Sequence, residues 1–136
     1  MIDSGDYDFS FSGLKTAVLY ALKDRDRSPE TVQEFAHEFQ EAVAEVLVSK
    51  TLRAAKEYGA RAILVGGGVS ANTRIGDLLK EKVAEALPET ALFVAPRALT
   101  GDNAVMIAAA AYLRHTIAPH GYAPEEIHAE GTLRLA

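Results

Sequence analysis

The 136-residue sequence predicts an α/β fold built on a parallel sheet. Three observations predict it. The stretch Ile63-Leu64-Val65-Gly66-Gly67-Gly68-Val69-Ser70-Ala71-Asn72 is an apolar run that stops at three glycines and then enters a helical pattern. The same order recurs at Ala91 to Ala95, Leu99 to Asn103 and Ala104 to Arg114. Both runs are wholly apolar, which predicts strands buried on both faces. Strand, helix, strand, helix in this order implies right-handed βαβ units.

The elements follow along the chain. Tyr7, Phe9 and Phe11 alternate with Asp8, Ser10 and Ser12, a period of two that predicts a strand with one aromatic face. Ser12 is a candidate N-cap for an apolar-periodic run from Leu14 to Leu22. Asp24-Arg25-Asp26-Arg27 forms a charged connector. Ser28-Pro29-Glu30 is a helix start, because serine caps, proline suits the first helical position and glutamate complements the dipole. Val32, Phe35, Ala36, Phe39, Val43, Val46 and Leu47 then recur at helical spacing, predicting one long amphipathic helix to Tyr58 with Gly59 as its stop. A strand over Ala62 to Val65, a helix over Asn72 to Leu87 ended by Pro88, and a strand over Ala91 to Ala95 come next. The segments expected are therefore 1–27 (strand plus helix), 28–59 (long helix), 60–118 (a βαβα unit) and 119–136 (an irregular tail).

Composition sets the outer limits. The chain is 49% hydrophobic and 24% charged, as in ordinary soluble domains, and is one domain's worth of residues. No apolar run is long enough to cross a bilayer, and Met1 to Asp6 lacks signal-peptide character, so no membrane partner and a cytoplasmic location are expected. The absence of cysteine excludes disulfides, thiolate nucleophiles and sulfur metal sites. The net charge of −5 argues against a dedicated nucleic-acid binder. Arg74, Lys80, Lys82 and Arg97 form at most a local basic patch, and a solvated helix face is the plainer reading.

Chemistry is expected at the carboxyl ends of the strands. One end carries Gly66, Gly67, Gly68 and Asn72; the other carries Thr100-Gly101-Asp102-Asn103. Glycines let a ligand approach without meeting a Cβ, and the helix start behind them suits phosphate. The turn is neither a Walker loop nor a dinucleotide fingerprint, and a plain tight turn remains the alternative. Asp102 reads as a metal ligand or as a helix cap, and Asn72 as a ligand contact or a cap. His37, His115, His120 and His128 form no ligand pair on one helix, and no serine has a His/Asp set around it, so no catalytic residue is assigned.

Three motifs carry a resemblance. Asp8-Phe9-Ser10-Phe11-Ser12-Gly13-Leu14-Lys15-Thr16-Ala17-Val18 resembles a signature of the TsaD family, the tRNA threonylcarbamoyladenosine transferases formerly labelled glycoproteases. Gly66 to Asn72 resembles that family's nucleotide-side loop, and Gly101 to Ala108 its late acidic motif. The resemblance covers the C-terminal part of the family only. It implies a ribonuclease H-like C-terminal lobe of the actin-like ATPase (sugar kinase/Hsp70/actin) superfamily, with the N-terminal lobe missing. It also implies transfer of threonylcarbamoyl from threonylcarbamoyl-AMP, an adenylate-type nucleotide, to a tRNA adenosine. By the same resemblance Gly66, Gly67, Gly68 and Asn72 contact the nucleotide. Asp102 ligates one iron or zinc that serves as a Lewis acid, and the remaining ligands are histidines of an HxxxH motif absent here. The implied partners are the missing N-terminal lobe or a companion chain, TsaB-like and TsaE-like proteins, and tRNA through the assembled complex. The acidic motif departs from the family's Asp-Asn-Gly-Ala by reading Asp102-Asn103-Ala104-Val105. The chain alone is expected to bind metal poorly, to be inactive, and to form a homodimer through its exposed lobe face. Another actin-like-fold kinase and a non-catalytic binding or assembly module are the alternatives.

Overall fold

A computed structural model describes residues 1–117 and, beyond them, Gly121, Ala123, Glu125 and His128. The tail expected from Pro119 therefore lies almost wholly outside the described residues. The chain divides into two compact units, Met1–Gly101 and Asp102–Ala136. The stretch read as one βαβα unit over 60–118 is thus split at a bend, Gly101–Asp102, between the second strand and the last helix.

The first unit holds helices α1 (Ser12–Ala21) and α2 (Pro29–Glu57), strand β1 (Ala62–Val65), helix α3 (Thr73–Ala86) and strand β2 (Ala91–Val94). Local chemistry sets the helix limits. Ser28 Oγ accepts from Thr31 N at 3.3 Å and Pro29 occupies the first turn of α2. At its other end Gly59 takes φ +58°, Ala60 N donates to Ala55 O at 2.8 Å and Gly59 N to Lys56 O at 3.3 Å. This is a Schellman closure, and it needs the left-handed residue that glycine supplies. In α1, Ser12 is the first helical residue rather than the cap. Phe11 holds the cap position without a side-chain bond, while Ser12 Oγ lies 2.9 Å from Ser10 Oγ.

β1 and β2 run parallel, with Ala62, Ile63, Leu64 and Val65 opposite Ala91, Leu92, Phe93 and Val94. α3 is the crossover between them. Val48 and Ala55 of α2, Ile63 of β1, and Leu79 and Val83 of α3 form the buried core. The expectation that both strand faces are covered is not met. Ile63 is 8% exposed but Leu64 is 79% and its cross-strand partner Phe93 is 60% exposed. The core residues put α2 and α3 on the Ile63 face alone. An unbroken apolar run reports hydrophobicity, not what lies over each face.

The strand expected over Tyr7 to Phe11 is also absent. Residues 2–7 form turns and bends and 8–11 are irregular. A strand needs a ladder partner, and the sheet has two strands, β1 and β2. Instead the side chain of Lys50, 3% exposed in the middle of α2, reaches the segment. Its Nζ donates to Ser4 Oγ and Asp6 Oδ1, both at 2.9 Å, and to Asp8 O. Arg53 donates to Asp6 O and stacks its guanidinium 5.0 Å from the Tyr7 ring, while the Tyr7 hydroxyl donates to Glu57. The aromatic alternation survives as a pair: Phe9 and Phe11 lie with ring centroids 6.0 Å apart.

The second unit contains helix α4 (Ala104–Ile117), close to the expected span. Among the described residues no helix is long and apolar enough to cross a membrane.

Candidate functional site at the glycine turn

Parallel pairing in register brings Val65 and Val94 to the same edge of the sheet, and Ala95 N donates to Val65 O at 2.9 Å just beyond it. From this edge the chain leaves β1 through Gly66, Gly67 and Gly68. Gly67 takes φ +84° and ψ 169°, a region essentially closed to side-chain-bearing residues. Its carbonyl accepts from Ser70 N at 3.0 Å and from Ser70 Oγ at 2.7 Å. The turn then runs as a 3-10 segment, Gly68–Ala71, into Asn72. The first N–H groups of that segment, at Gly68 and Val69, have no intrahelical acceptor by construction.

The plain-turn reading accounts for one glycine of the three. Only Gly67 has a positive φ. A Cβ built on Gly66 or Gly68 would meet nothing within 4 Å, as holds for the chain's other described glycines too. Neither residue is therefore glycine because of the chain's own packing, and the space in front of both is open to a ligand.

Asn72 caps α3. Its Oδ1 accepts from Ile75 N at 3.3 Å and its Nδ2 donates to Gln40 Oε1 at 3.2 Å. Two residues on, Arg74 grips Glu41 with Nε and Nη2, each at 2.6 Å. This bond holds the Glu41 carboxyl below the usual range and the Arg74 guanidinium above its own. Lys80 pairs with Asp77, and Lys82 with Glu85 and Glu81. The sequence's basic patch is thus largely neutralised by carboxylates on α2 and α3. Because the Arg74–Glu41 fork is partly exposed, Glu41→Gln is expected to lower the melting temperature at low salt and to do so less at high salt. Equal shifts at both ionic strengths would contradict this.

Below the turn lies a cavity of about 950 Å3, within the range of small-molecule pockets. Phe9, Phe11, Phe35 and Phe39 line its apolar wall, and Gln40 and Asn72 are polar residues at the turn end.

Asp102 belongs to the second unit, one peptide bond beyond Gly101, and is exposed. The cap reading for Asp102 falls to its neighbour: Asn103 Oδ1 accepts from Met106 N at 3.0 Å. Among the described residues no three His, Asp or Glu side chains gather to hold a metal. The described residues therefore bring no second and third ligand to Asp102. His37, His115 and His128 are exposed, and His120 lies outside the described residues.

Two features escaped the sequence reading. Gln40 stands on α2 among residues read only for their apolar spacing. Lys50 continues the apolar stripe at three residues past Leu47 and four past Val46, the one signal that could have marked it as buried.

Comparison with known proteins bears on the same residues. The profile of TsaD, tRNA N6-adenosine threonylcarbamoyltransferase, matches residues 2–109. A tRNA N6-adenosine threonylcarbamoyltransferase of Listeria monocytogenes serotype 4b is 49% identical over 81% of this chain and 33% of its own length. Those of Lactiplantibacillus plantarum and Geobacillus kaustophilus are 38% and 47% identical, over 99% and 80% of this chain and 39% and 32% of theirs. The chain thus spans about a third of the length of the curated relatives it matches. With a family match across both the glycine turn and the Asp102 motif, the chain belongs to the TsaD family.

Proposed function

We propose that this chain is the C-terminal, adenylate-side lobe of a tRNA N6-adenosine threonylcarbamoyltransferase with the actin-like ATPase fold. The observation that carries the reading is the family match across the glycine turn and the Asp102 motif, with a turn whose N–H groups at Gly68 and Val69 have no intrahelical acceptor. In this reading the phosphate of threonylcarbamoyl-AMP rests on the turn's free N–H groups and on the start of α3, and the apolar cavity takes the base. The tRNA adenosine amine attacks the carbamoyl carbon, the new C–N bond replaces the bond from that carbon to the phosphate oxygen, AMP leaves with that electron pair, and the amine's proton passes to solvent. N–H groups aimed at the phosphate favour that departure, because charge builds there as the bond breaks. Asn72 contacts the nucleotide. Asp102 supplies one carboxylate toward an iron or zinc whose other ligands lie outside the described residues.

An N-terminal lobe or companion chain, TsaB-like and TsaE-like proteins and tRNA are the partners this reading calls for, in the cytoplasm. The isolated chain is expected to dimerise through the outward face that carries Leu64 and Phe93. Sedimentation should show a dimer that Leu64→Lys disperses, and a strictly monomeric parent chain would overturn that expectation.

The test of function mixes the chain with the N-terminal portion of the Listeria relative and follows threonylcarbamoyl transfer to tRNA. The chain alone should give no transfer and the mixture should give it. A second measurement titrates AMP against the labelled chain. Saturable shifts at the amides of Gly66 to Asn72 and at the cavity residues Phe9, Phe11, Phe35 and Phe39 support the reading, and no shifts, or shifts that spare the turn, overturn it.

A further inference from the structure

Asn72 is the side chain through which the glycine turn meets α2. A carboxamide carries two N–H donors and two oxygen lone pairs, and its two ends exchange by rotation about its last torsion. Here one acceptor position is taken by Ile75 N and one donor by Gln40 Oε1. The helix cap alone fixes the oxygen only loosely, at 3.3 Å. Gln40 adds the second point, and these two contacts together with the covalent bond to Cβ define the plane of the group. The neighbouring residue on α2, Glu41, holds Arg74 in a two-bond fork, so consecutive α2 residues grip the first turn of α3. Gln40 and Asn72 both also line the cavity.

We infer that Gln40 is a positioning residue for Asn72: it selects the carboxamide orientation that leaves one N–H and one oxygen lone pair turned outward beside the glycine turn. That the outward pair meets an adenylate rests on the function proposed above; that Gln40 sets the orientation does not. Gln40 acts through Asn72 and is not itself a catalytic residue.

The experiment uses the full labelled chain, with Gln40→Ala, Gln40→Glu and Asn72→Ala. Gln40 is half-buried, so truncation leaves the core residues in place. Glutamate keeps an acceptor where Oε1 stands. The Asn72 side-chain amide signal should move toward that of a solvent-bonded carboxamide in Gln40→Ala and stay near the parent value in Gln40→Glu, a contrast that a general packing role would not produce. AMP, the probe, should bind about three- to tenfold more weakly to Gln40→Ala, the scale of one lost hydrogen bond. The Gln40→Ala/Asn72→Ala double variant should bind no more weakly than Asn72→Ala alone. An unchanged Asn72 amide signal in Gln40→Ala, or losses that multiply in the double variant, would overturn the assignment. If the parent chain binds no AMP, the proposed function falls, and the amide signals alone then decide for or against Gln40.

Discussion

Lys50→Ala is expected to loosen the Ser4, Asp6 and Asp8 contacts with α2 and to lower stability by about 2–3 kcal/mol, the scale of charge-assisted hydrogen bonds to a buried group. All three N–H groups of the Lys50 ammonium are engaged, by Ser4 Oγ, Asp6 Oδ1 and Asp8 O. Two effects oppose each other. Truncation ends the cost of keeping an ammonium out of water. It also loses three bonds and the packing of a four-carbon stem. Asp6 is half exposed and regains water when released, which limits the penalty on its side. The lost bonds and stem should win, because Lys50 is the buried side chain among those of α2 that tie the N-terminal segment down. Lys50→Met separates the contributions by restoring the stem without the charge. Denaturant melts and amide exchange over residues 4–8 read the result. Parent-like protection of those amides in Lys50→Ala would refute the anchor.

The same anchor has a pH window at each end. The Ser4 hydroxyl first, and then Lys50, hold the Asp6 carboxyl below its usual range. A group with a lowered folded value stabilises above its ordinary value and ceases to as pH falls through the lowered one. Ordered Asp6 contacts should therefore persist at neutral pH and fade below about pH 4. The Tyr7 phenol is raised, chiefly by its hydrogen bond to Glu57. Its contribution is complete below the ordinary tyrosine value and is lost as pH rises through the raised one, above about pH 10. Lys50→Ala should shrink the acid step, part of which rests on the Ser4 hydroxyl, and leave the alkaline one, which rests on Glu57.

These features show where local signals end. Ser28-Pro29 and Gly59 marked both ends of α2, because caps are local chemistry and the chain's own backbone groups answer to them. Asn72 likewise marked the start of α3. Tyr7 to Phe11 carried an equally good strand pattern, but a strand is completed by a partner, and here the competing partner was a lysine more than forty residues away. Asp102 and Asn103 are both cap-competent, and only the hydrogen bond to Met106 N decides between them. The glycine turn was legible as a feature. Which glycines the backbone needs was not, since that depends on φ at each one and on the space in front of it.

That distinction gives the second large effect. Gly67→Ala should destabilise the chain by about 1–3 kcal/mol, because φ +84° with ψ 169° lies where a Cβ is strained whatever the surrounding room. Gly68→Ala should leave stability unchanged or raise it by about 0.4–1 kcal/mol, since its φ is not left-handed, its Cβ meets nothing, and alanine restricts the unfolded chain. Binding should invert the order of concern. If the open space before Gly68 is where the adenylate phosphate rests, the added methyl group of Gly68→Ala occupies it, and AMP affinity should fall at least about tenfold while the melting temperature holds. A turn that binds no adenylate would give the same melting curves and no loss of AMP affinity in Gly68→Ala. Melting curves and AMP titrations on the two single variants are therefore enough to decide whether the second of these glycines answers to the fold or to a ligand.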